Sequence, residues 1–341
     1  MFNKATEVDL TNIFAEPIHI EYDLLKKYLG SNGPGAKLFT DRVKPDVNPL
    51  SPENTLVFTI GTVTGVAIST SGRIKITQAN YWCNRLGVDT ISMGVTISCA
   101  MELQEKWLLP YNNFKFGNED ILIDAVKKTA FVEGIGSELA GGSKILAEKY
   151  GDPQTAIHEK ELEIPAYDPR GAFGHALGYA TSNRGGYQLT GYMAAMELFS
   201  APKRIPRFTQ TGKPDLFALK QNQSAVEDGR ICCKFLGYAA GLGFHARFLT
   251  AITGLEFNVA TLTKIGERSY NLERPFNIAA GVIDYTLPER VINEPFKEGI
   301  SKDSVIPKKG MLSQYYFVRG WDERGVPGKH KLDELEIDWK Q

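Results

Sequence analysis

Thr96-Ile-Ser-Cys-Ala-Met-Glu-Leu-Gln-Glu-Lys-Trp-Leu-Leu109 sets its apolar residues three and four apart. That spacing gathers them on one face of a helix, whereas a half-buried strand would alternate. Patterns of this kind dominate from about residue 78 onward. Residues 120–131 place Ile121, Ala125 and Val126 on one side, with Lys127 and Lys128 near the end, where cations suit the helix dipole. Residues 143–150 read as a helix closed by Gly151 and Pro153. Residues 189–199, 224–240 and 244–253 read as helices. So do residues 259–279, although Pro275 is expected to bend or end that helix. The chain from Val282 is Pro-rich until a last expected helix over residues 311–318.

Upstream the texture changes. Residues 23–29 form a short amphipathic pattern stopped by Gly30, and Pro45, Pro49 and Pro52 mark a loop. Leu56-Val-Phe-Thr-Ile60 is a short apolar β-prone run, and Gly61, Gly65 and Gly72 punctuate the chain after it. Arg73-Ile-Lys-Ile-Thr77 alternates with period two, which predicts a strand. The fold class expected is α+β, mostly α-helical. A small β-rich N-terminal domain over residues 1–77 precedes a helical region over residues 78–341 made of two packed helical domains.

Composition narrows the function. A length of 341 residues suits two domains, and 43% hydrophobic with 23% charged residues is ordinary globular usage. Thirty-nine basic residues against 40 acidic ones leave a net charge of -1, so no basic excess points to nucleic acid. The apolar stretches are broken well before membrane-spanning length, and residues 1–10 hold Lys4, Glu7 and Asp9 without an apolar run. Four cysteines are too few for a disulfide framework. These features predict a soluble, intracellular, globular protein.

Several segments carry side chains suited to chemistry. Gly30-Ser-Asn-Gly-Pro-Gly35 follows a helix rather than a strand, so it fits a helix C-cap and turn better than a phosphate loop. Tyr167-Asp-Pro-Arg-Gly-Ala-Phe-Gly-His175 runs on toward Ala180-Thr-Ser-Asn-Arg-Gly-Gly186. Arg170 and Arg184 among glycines and small hydroxyls suit an anionic ligand, or equally a turn in which they satisfy carbonyls. His175 alone reads as a packed histidine. Asn84-Arg-Leu-Gly-Val-Asp89 and Asp228-Gly-Arg-Ile-Cys-Cys233 are related in form. A carboxylate at such a place accepts hydrogen bonds from a heterocycle, and the plain alternative is surface acids and core thiols.

Together these segments resemble the tungsten-containing aldehyde ferredoxin oxidoreductases. The resemblance runs through Tyr28-Leu-Gly-Ser-Asn-Gly-Pro-Gly-Ala-Lys-Leu38, Pro49-Leu-Ser-Pro-Glu-Asn54 and Thr70-Ser-Gly-Arg73. It continues in residues 79–92, Ile164-Pro-Ala-Tyr-Asp-Pro-Arg-Gly171, Tyr179-Ala-Thr-Ser-Asn-Arg-Gly185 and residues 228–235. It ends in Asn271-Leu-Glu-Arg274, Thr286-Leu-Pro-Glu-Arg290 and Tyr315-Tyr-Phe-Val-Arg-Gly-Trp-Asp322. The resemblance implies oxidation of a small aldehyde to a carboxylic acid on a tungsten-bis-pterin, with electrons leaving through a [4Fe-4S] cluster to ferredoxin. It implies an anaerobe's cytoplasm. It assigns pterin contacts to Asn84, Gly87, Asp89, Arg184 and Asp228, and a cluster ligand to Cys233.

Departures from the family pattern are as specific. Between about residues 73 and 80 a long stretch is missing, and with it the Cys-x-x-Cys-x-x-x-Cys run that binds three irons of the cluster. Asn84 and Ile231 replace the family's Asp and Gly, and Gln188 stands where the family carries a proposed proton-donating His. His175 is then the weak remaining catalytic candidate. These departures predict that the chain alone does not retain the cofactors. An oligomer, or another chain supplying the missing segment, is the expected partner. The alternative is a catalytically inactive binding module. The structure is expected to show an exposed sheet edge at the junction over residues 74–79. It is also expected to show one cavity faced by Asn84, Asp89, Asp228 and residues 184–188, with Cys233 as a stranded ligand.

Overall fold

The computed structural model describes residues 4–9, 14–28, 32–47, 74–282, 287–307 and 310–339. Strands β1 (Lys4–Asp9) and β2 (Phe14–His19) pair antiparallel, with Lys4 opposite His19 and Asp9 opposite Phe14. Among the described residues these two strands form a sheet of their own. The expected strand over residues 56–60 lies outside the described residues. Helices α1 (Tyr22–Tyr28) and α2 (Asn32–Arg42) come next. The glycine-rich segment is thus not only a turn. Its second half opens α2, because Pro34 in a first helical turn sacrifices no intrahelical hydrogen bond.

Helix α3 (Ile74–Leu86) corrects the strand expected over residues 73–77. An alternation five residues long is a weak signal. Here Lys75 pairs with Asp120 at 2.6 Å, while Ala79, Trp82 and Cys83 pack on the core below. Helices α4 (Thr90–Glu105), α5 (Ile121–Phe131), α6 (Gly136–Leu139) and α7 (Gly142–Lys149) complete this lobe around Ile97, Leu103, Val126 and Leu146. Helix α4 ends before the expected residue 109. Trp107 adopts φ 60°, and the Leu108 N–H returns to the Leu103 carbonyl at 2.9 Å, which closes the helix.

The hairpin of β3 (His158–Glu159) and β4 (Leu162–Glu163) turns on Lys160 and Glu161, both at positive φ as a two-residue turn requires. Beyond it lie α8 (Phe173–Thr181), α9 (Ala194–Glu197), α10 (Lys213–Gly229), α11 (Leu242–Thr253) and α12 (Val259–Ala279). The shorter α13 (Glu289–Asn293), α14 (Met311–Arg319) and α15 (Lys329–Glu334) close the chain. Phe173, Leu177, Phe217, Tyr270, Tyr315 and Trp321 form the second lobe's main core. Val226, Leu249, Leu262 and Ile265 join α10, α11 and α12. Arg290 of α13 pairs with Glu102 of α4, tying the lobes together.

Two expected helices change. Residues 189–199 give only a 3-10 turn, Gln188–Thr190, and α9. Met193, Ala194, Ala195 and Met196 are all buried there, so their apolar run carries no helical period. The helix expected over residues 224–240 begins at Lys213 and stops at Gly229. Pro275 does not end α12, which continues to Ala279.

Candidate functional site

The end of α10 decides the site. Its last turn closes with two reversed hydrogen bonds, Ile231 N–H to the Asp228 carbonyl at 2.9 Å and Cys232 N–H to the Glu227 carbonyl at 3.0 Å. This is the closure glycine normally makes in the left-handed region. Here β-branched Ile231 occupies it at φ 53°. The turn brings Asp228, Cys232 and Cys233 onto one cavity of about 670 Å³.

The opposite wall comes from the loop after α8. Its Gly185 and Gly186 seat the chain against β3–β4: a Cβ on Gly186 would fall 2.5 Å from the Leu162 carbonyl oxygen. The Gly186 N–H donates to the Glu159 carbonyl at 3.0 Å. That seating presents Asn183, Arg184 and Tyr187 to the cavity. The Arg184 guanidinium lies 4.4 Å over the Tyr187 ring. Asn183 donates to the Tyr270 carbonyl at 3.1 Å and to Glu273 at 3.2 Å, while its own side-chain oxygen is buried and has no hydrogen-bond partner among the described residues. Asp228 pairs with Lys234 at 2.6 Å. Gln221 of α10 and Tyr270, Glu273 and Asn277 of α12 form the floor.

Other predicted residues lie elsewhere. Asn84, Gly87 and Asp89 are not in the cavity lining. They repeat the α10 closure at the end of α3: Gly87 stands at φ 73° and the Val88 N–H returns to the Cys83 carbonyl at 2.9 Å. Asn84 is exposed and donates to the Asn80 carbonyl at 2.8 Å. The Asp89 carboxylate caps α4, accepting from Ile91 N–H at 3.0 Å and Ser92 N–H at 2.7 Å. The two motifs therefore share one backbone frame, a helix end leading into the start of the next helix, since Cys233 likewise precedes the 3-10 turn Lys234–Tyr238.

His175 is buried, both ring nitrogens lack partners among the described residues, and burial pushes its pKa down to about 4. The rings of Tyr167, Tyr179 and Tyr192 surround it at 5.1–6.3 Å between centroids. Gln188 is buried, its side-chain oxygen has no partner among the described residues, and it lies outside the lining. Sequence reasoning did not single out Gln221, Tyr270, Glu273 and Asn277. The signal was present as a polar run on helices that also carry core residues, Arg268-Ser-Tyr-Asn271 in α12 being the clearest. Among the described residues no three His, Cys, Asp or Glu side chains converge as a metal site.

A mostly helical two-lobed chain, with an acid-and-thiol cavity between α10, α12 and the loop after α8, defines the class. The family model described as "Aldehyde ferredoxin oxidoreductase, domains 2 & 3" matches residues 43–337, and the chain belongs to that family. It is 40% identical over 296 residues to a tungsten-containing aldehyde ferredoxin oxidoreductase of Pyrococcus furiosus, covering 84% of this chain and 48% of that one. A relative of the same name from Thermococcus kodakarensis is 39% identical over the same shares. The aliphatic sulfonate oxidoreductase WOR-like subunit of Pyrococcus furiosus is 26% identical, over 77% of this chain and 42% of that one. The chain therefore spans about half the length of these relatives. In fold it is similar to the active-site complex BamBC of benzoyl coenzyme A reductase, with TM-score 0.56 and 21% identity over 77% of this chain and 48% of that one.

Proposed function

We propose that this chain is the pterin-binding helical part of an aldehyde-oxidising, tungsten-dependent oxidoreductase. The observation that carries the reading is the convergence of Asp228, Arg184 and Cys233 on one cavity. The Asp228 carboxylate is assigned to accept from the ring N–H groups of a pterin, and Arg184 to meet an anionic substituent. When bound, the tungsten-pterin group supplies the two-electron oxidation and oxygen transfer that convert an aldehyde to a carboxylic acid. Tyr187 and Tyr270 offer apolar faces that exclude water from one side of the ring system. Asn84, Gly87 and Asp89, in the matching backbone frame, are assigned to a second pterin outside this cavity. Neither His175 nor Gln188 reaches the cavity, and no proton transfer is assigned to them.

The cysteines do not fit a [4Fe-4S] cluster held by this chain alone. Such a cluster needs four thiolates at one point, and Cys83 and Cys99 are buried in the core of the first lobe. Cys233 is assigned as one ligand, with the remaining thiolates coming from a second polypeptide. Helix α11 offers a face for it: Phe244, Phe248 and Ile252, spaced four apart, are each more than half exposed. Ferredoxin, a small aldehyde and a cytoplasmic location complete the reading. Among the described residues no helix is long and apolar enough to cross a membrane. The burial of Cys83 and Cys99 also favours a second reading, a binding module without turnover.

Anaerobic expression with tungstate, alone and with a partner bearing the missing cysteines, separates the two. Pterin content is measured by fluorescence after oxidation, and aldehyde oxidation with a viologen acceptor. The enzyme reading expects pterin in the complex, lost on Asp228→Ala, and turnover only with the partner. Pterin-free protein in both preparations would sink it.

A further inference from the structure

Adjacent residues on a helix or a strand point their side chains apart. Cys232 and Cys233 are adjacent, yet both line the cavity at the end of α10. The helix closure explains this. The Ile231 and Cys232 N–H groups turn back to the Asp228 and Glu227 carbonyls, and with Ile231 at φ 53° the chain leaves the helix before either cysteine. Cys233, at φ -58° and ψ 130°, then precedes the turn Lys234–Tyr238, and its side chain caps none of that turn's N–H groups. The two Cα atoms are about 3.8 Å apart across their peptide. Both thiols are free, Cys232 partly exposed and Cys233 exposed.

The residue before Ile231 supplies charge. Arg230 is 1% exposed, and among the described residues no carboxylate forms an ion pair with it. Its Nε donates to the Val226 carbonyl at 3.3 Å, and its Nη2 is buried with no hydrogen-bond partner among the described residues. Burial pushes its pKa down, while the Cys232 sulfur and then the Glu227 carboxylate oppose that. Glu227 is itself 3% exposed, burial pushes its pKa up toward the neutral acid, and its Oε1 takes the Gln223 amide at 2.8 Å. A buried guanidinium in this setting gains from a fixed negative charge on the Cys232 side.

We propose that Cys232 and Cys233 form a two-thiolate site for a soft monovalent cation of the Cu(I) class. Thiolates select such an ion. Zinc and an iron–sulfur cluster each ask for four ligands, and among the described residues no group of three His, Cys, Asp or Glu side chains could hold a metal. Asp228, on the same cavity, is engaged by Lys234 at 2.6 Å. Binding replaces two S–H bonds with two S–Cu bonds and releases two protons, and the copper stays Cu(I). The bis-thiolate complex carries one net negative charge, which Arg230 offsets. The site does not depend on the pterin reading. It competes with the cluster assigned to Cys233, so a chain loaded with copper is closed to that cluster. If the two thiols are merely loop neighbours, each binds copper as a single thiol does.

The test titrates Cu(I), kept reduced under argon, into the full chain against the chromophoric chelator bicinchoninate. The wild type is expected to take one copper per chain from the chelator, and X-ray absorption should show that copper bonded to two sulfurs. Cys232→Ser and Cys233→Ser alter side chains outside the core and should each lower the affinity by more than about a hundredfold. Arg230→Gln should lower it by about tenfold, the size expected of a group acting through a ligand, and Arg230→Lys should recover part. Thermal melts of the metal-free variants check folding, and the two serine variants carry the test whether or not Arg230→Gln folds. Copper left on the chelator by the wild type, affinity unchanged in either serine variant, or copper bound only as a dimer on size-exclusion chromatography overturns the inference.

Discussion

Ile231 and His175 each hold a residue-scale conflict that the fold tolerates. Ile231 sits in the left-handed region, where a β-branched side chain costs roughly 1–2 kcal/mol. Glycine adopts that conformation without the clash, and Ile231 is 37% exposed, so little packing is lost with it. Ile231→Gly is therefore expected to stabilise the protein by about 1 kcal/mol, read as a higher urea midpoint at unchanged slope. A lower midpoint would mean that the Ile231 side chain contributes more than its exposure suggests. His175 titrates near pH 4 in the folded chain against an ordinary value of 6.5, because burial penalises the imidazolium. The unfolded chain takes up this proton first. The stability from a neutral His175 is thus fully present above about pH 6.5 and lost as pH falls toward 4. The difference corresponds to about 3 kcal/mol across that window. His175→Leu should flatten the acid limb of the stability curve by that order, measured by urea unfolding at pH 7 and pH 4.5. An unchanged limb would show that the histidine is not the group responsible.

Elements are legible in the sequence where one face is apolar and the ends carry chemistry. Helices α5 and α7 match their expected spans within a residue because apolar spacing and flanking Gly or Pro agree there. The end of α10 does not, because its terminator is an isoleucine in a glycine's conformation. Its start carries one clear mark, the first-turn Pro214. The site divides in the same way. Asp228, Arg184 and Cys233 stand in motifs, whereas Gln221 and Tyr270 look like ordinary helix positions until the partners that bury them are in place. Helix α8 shows what such buried polar groups do. The Glu197 carboxylate accepts Gly174 N–H at 2.8 Å and His175 N–H at 3.1 Å, and pairs with Lys213. Burial pushes Glu197 up and Lys213 down, while their mutual attraction opposes both. Lys213→Met leaves a buried carboxylate facing apolar surroundings and should cost about 3–5 kcal/mol. Adding Glu197→Gln should recover part of that loss, because the amide oxygen still caps α8. No recovery in the double variant would show that the pair acts only by packing. At α4 the Asp89 cap predicts a loss of about 1 kcal/mol on Asp89→Ala, with Asn84→Ala near zero in the same denaturation assay.

At the scale of the molecule the thiols report how the chain is divided. Cys83 and Cys99 lie in the core formed by α3 to α7, and burial pushes the Cys99 thiol up to about 12. Cys232 and Cys233 both line the cavity at the end of α10, and Cys233 is exposed. Reactivity tracks thiolate content and access, so native protein should take up iodoacetamide at Cys233, then at Cys232, and at neither core cysteine. All four cysteines of the sequence should react in urea. Peptide mass spectrometry reads both results. The same division governs cluster chemistry, since the two core thiols cannot reach the cavity while the first lobe stays folded. Anaerobic reconstitution of the chain alone is expected to give no stoichiometric iron and sulfide and no cluster signal by low-temperature EPR. A full cluster that disappears on Cys233→Ala, with no second polypeptide present, would refute the need for a partner.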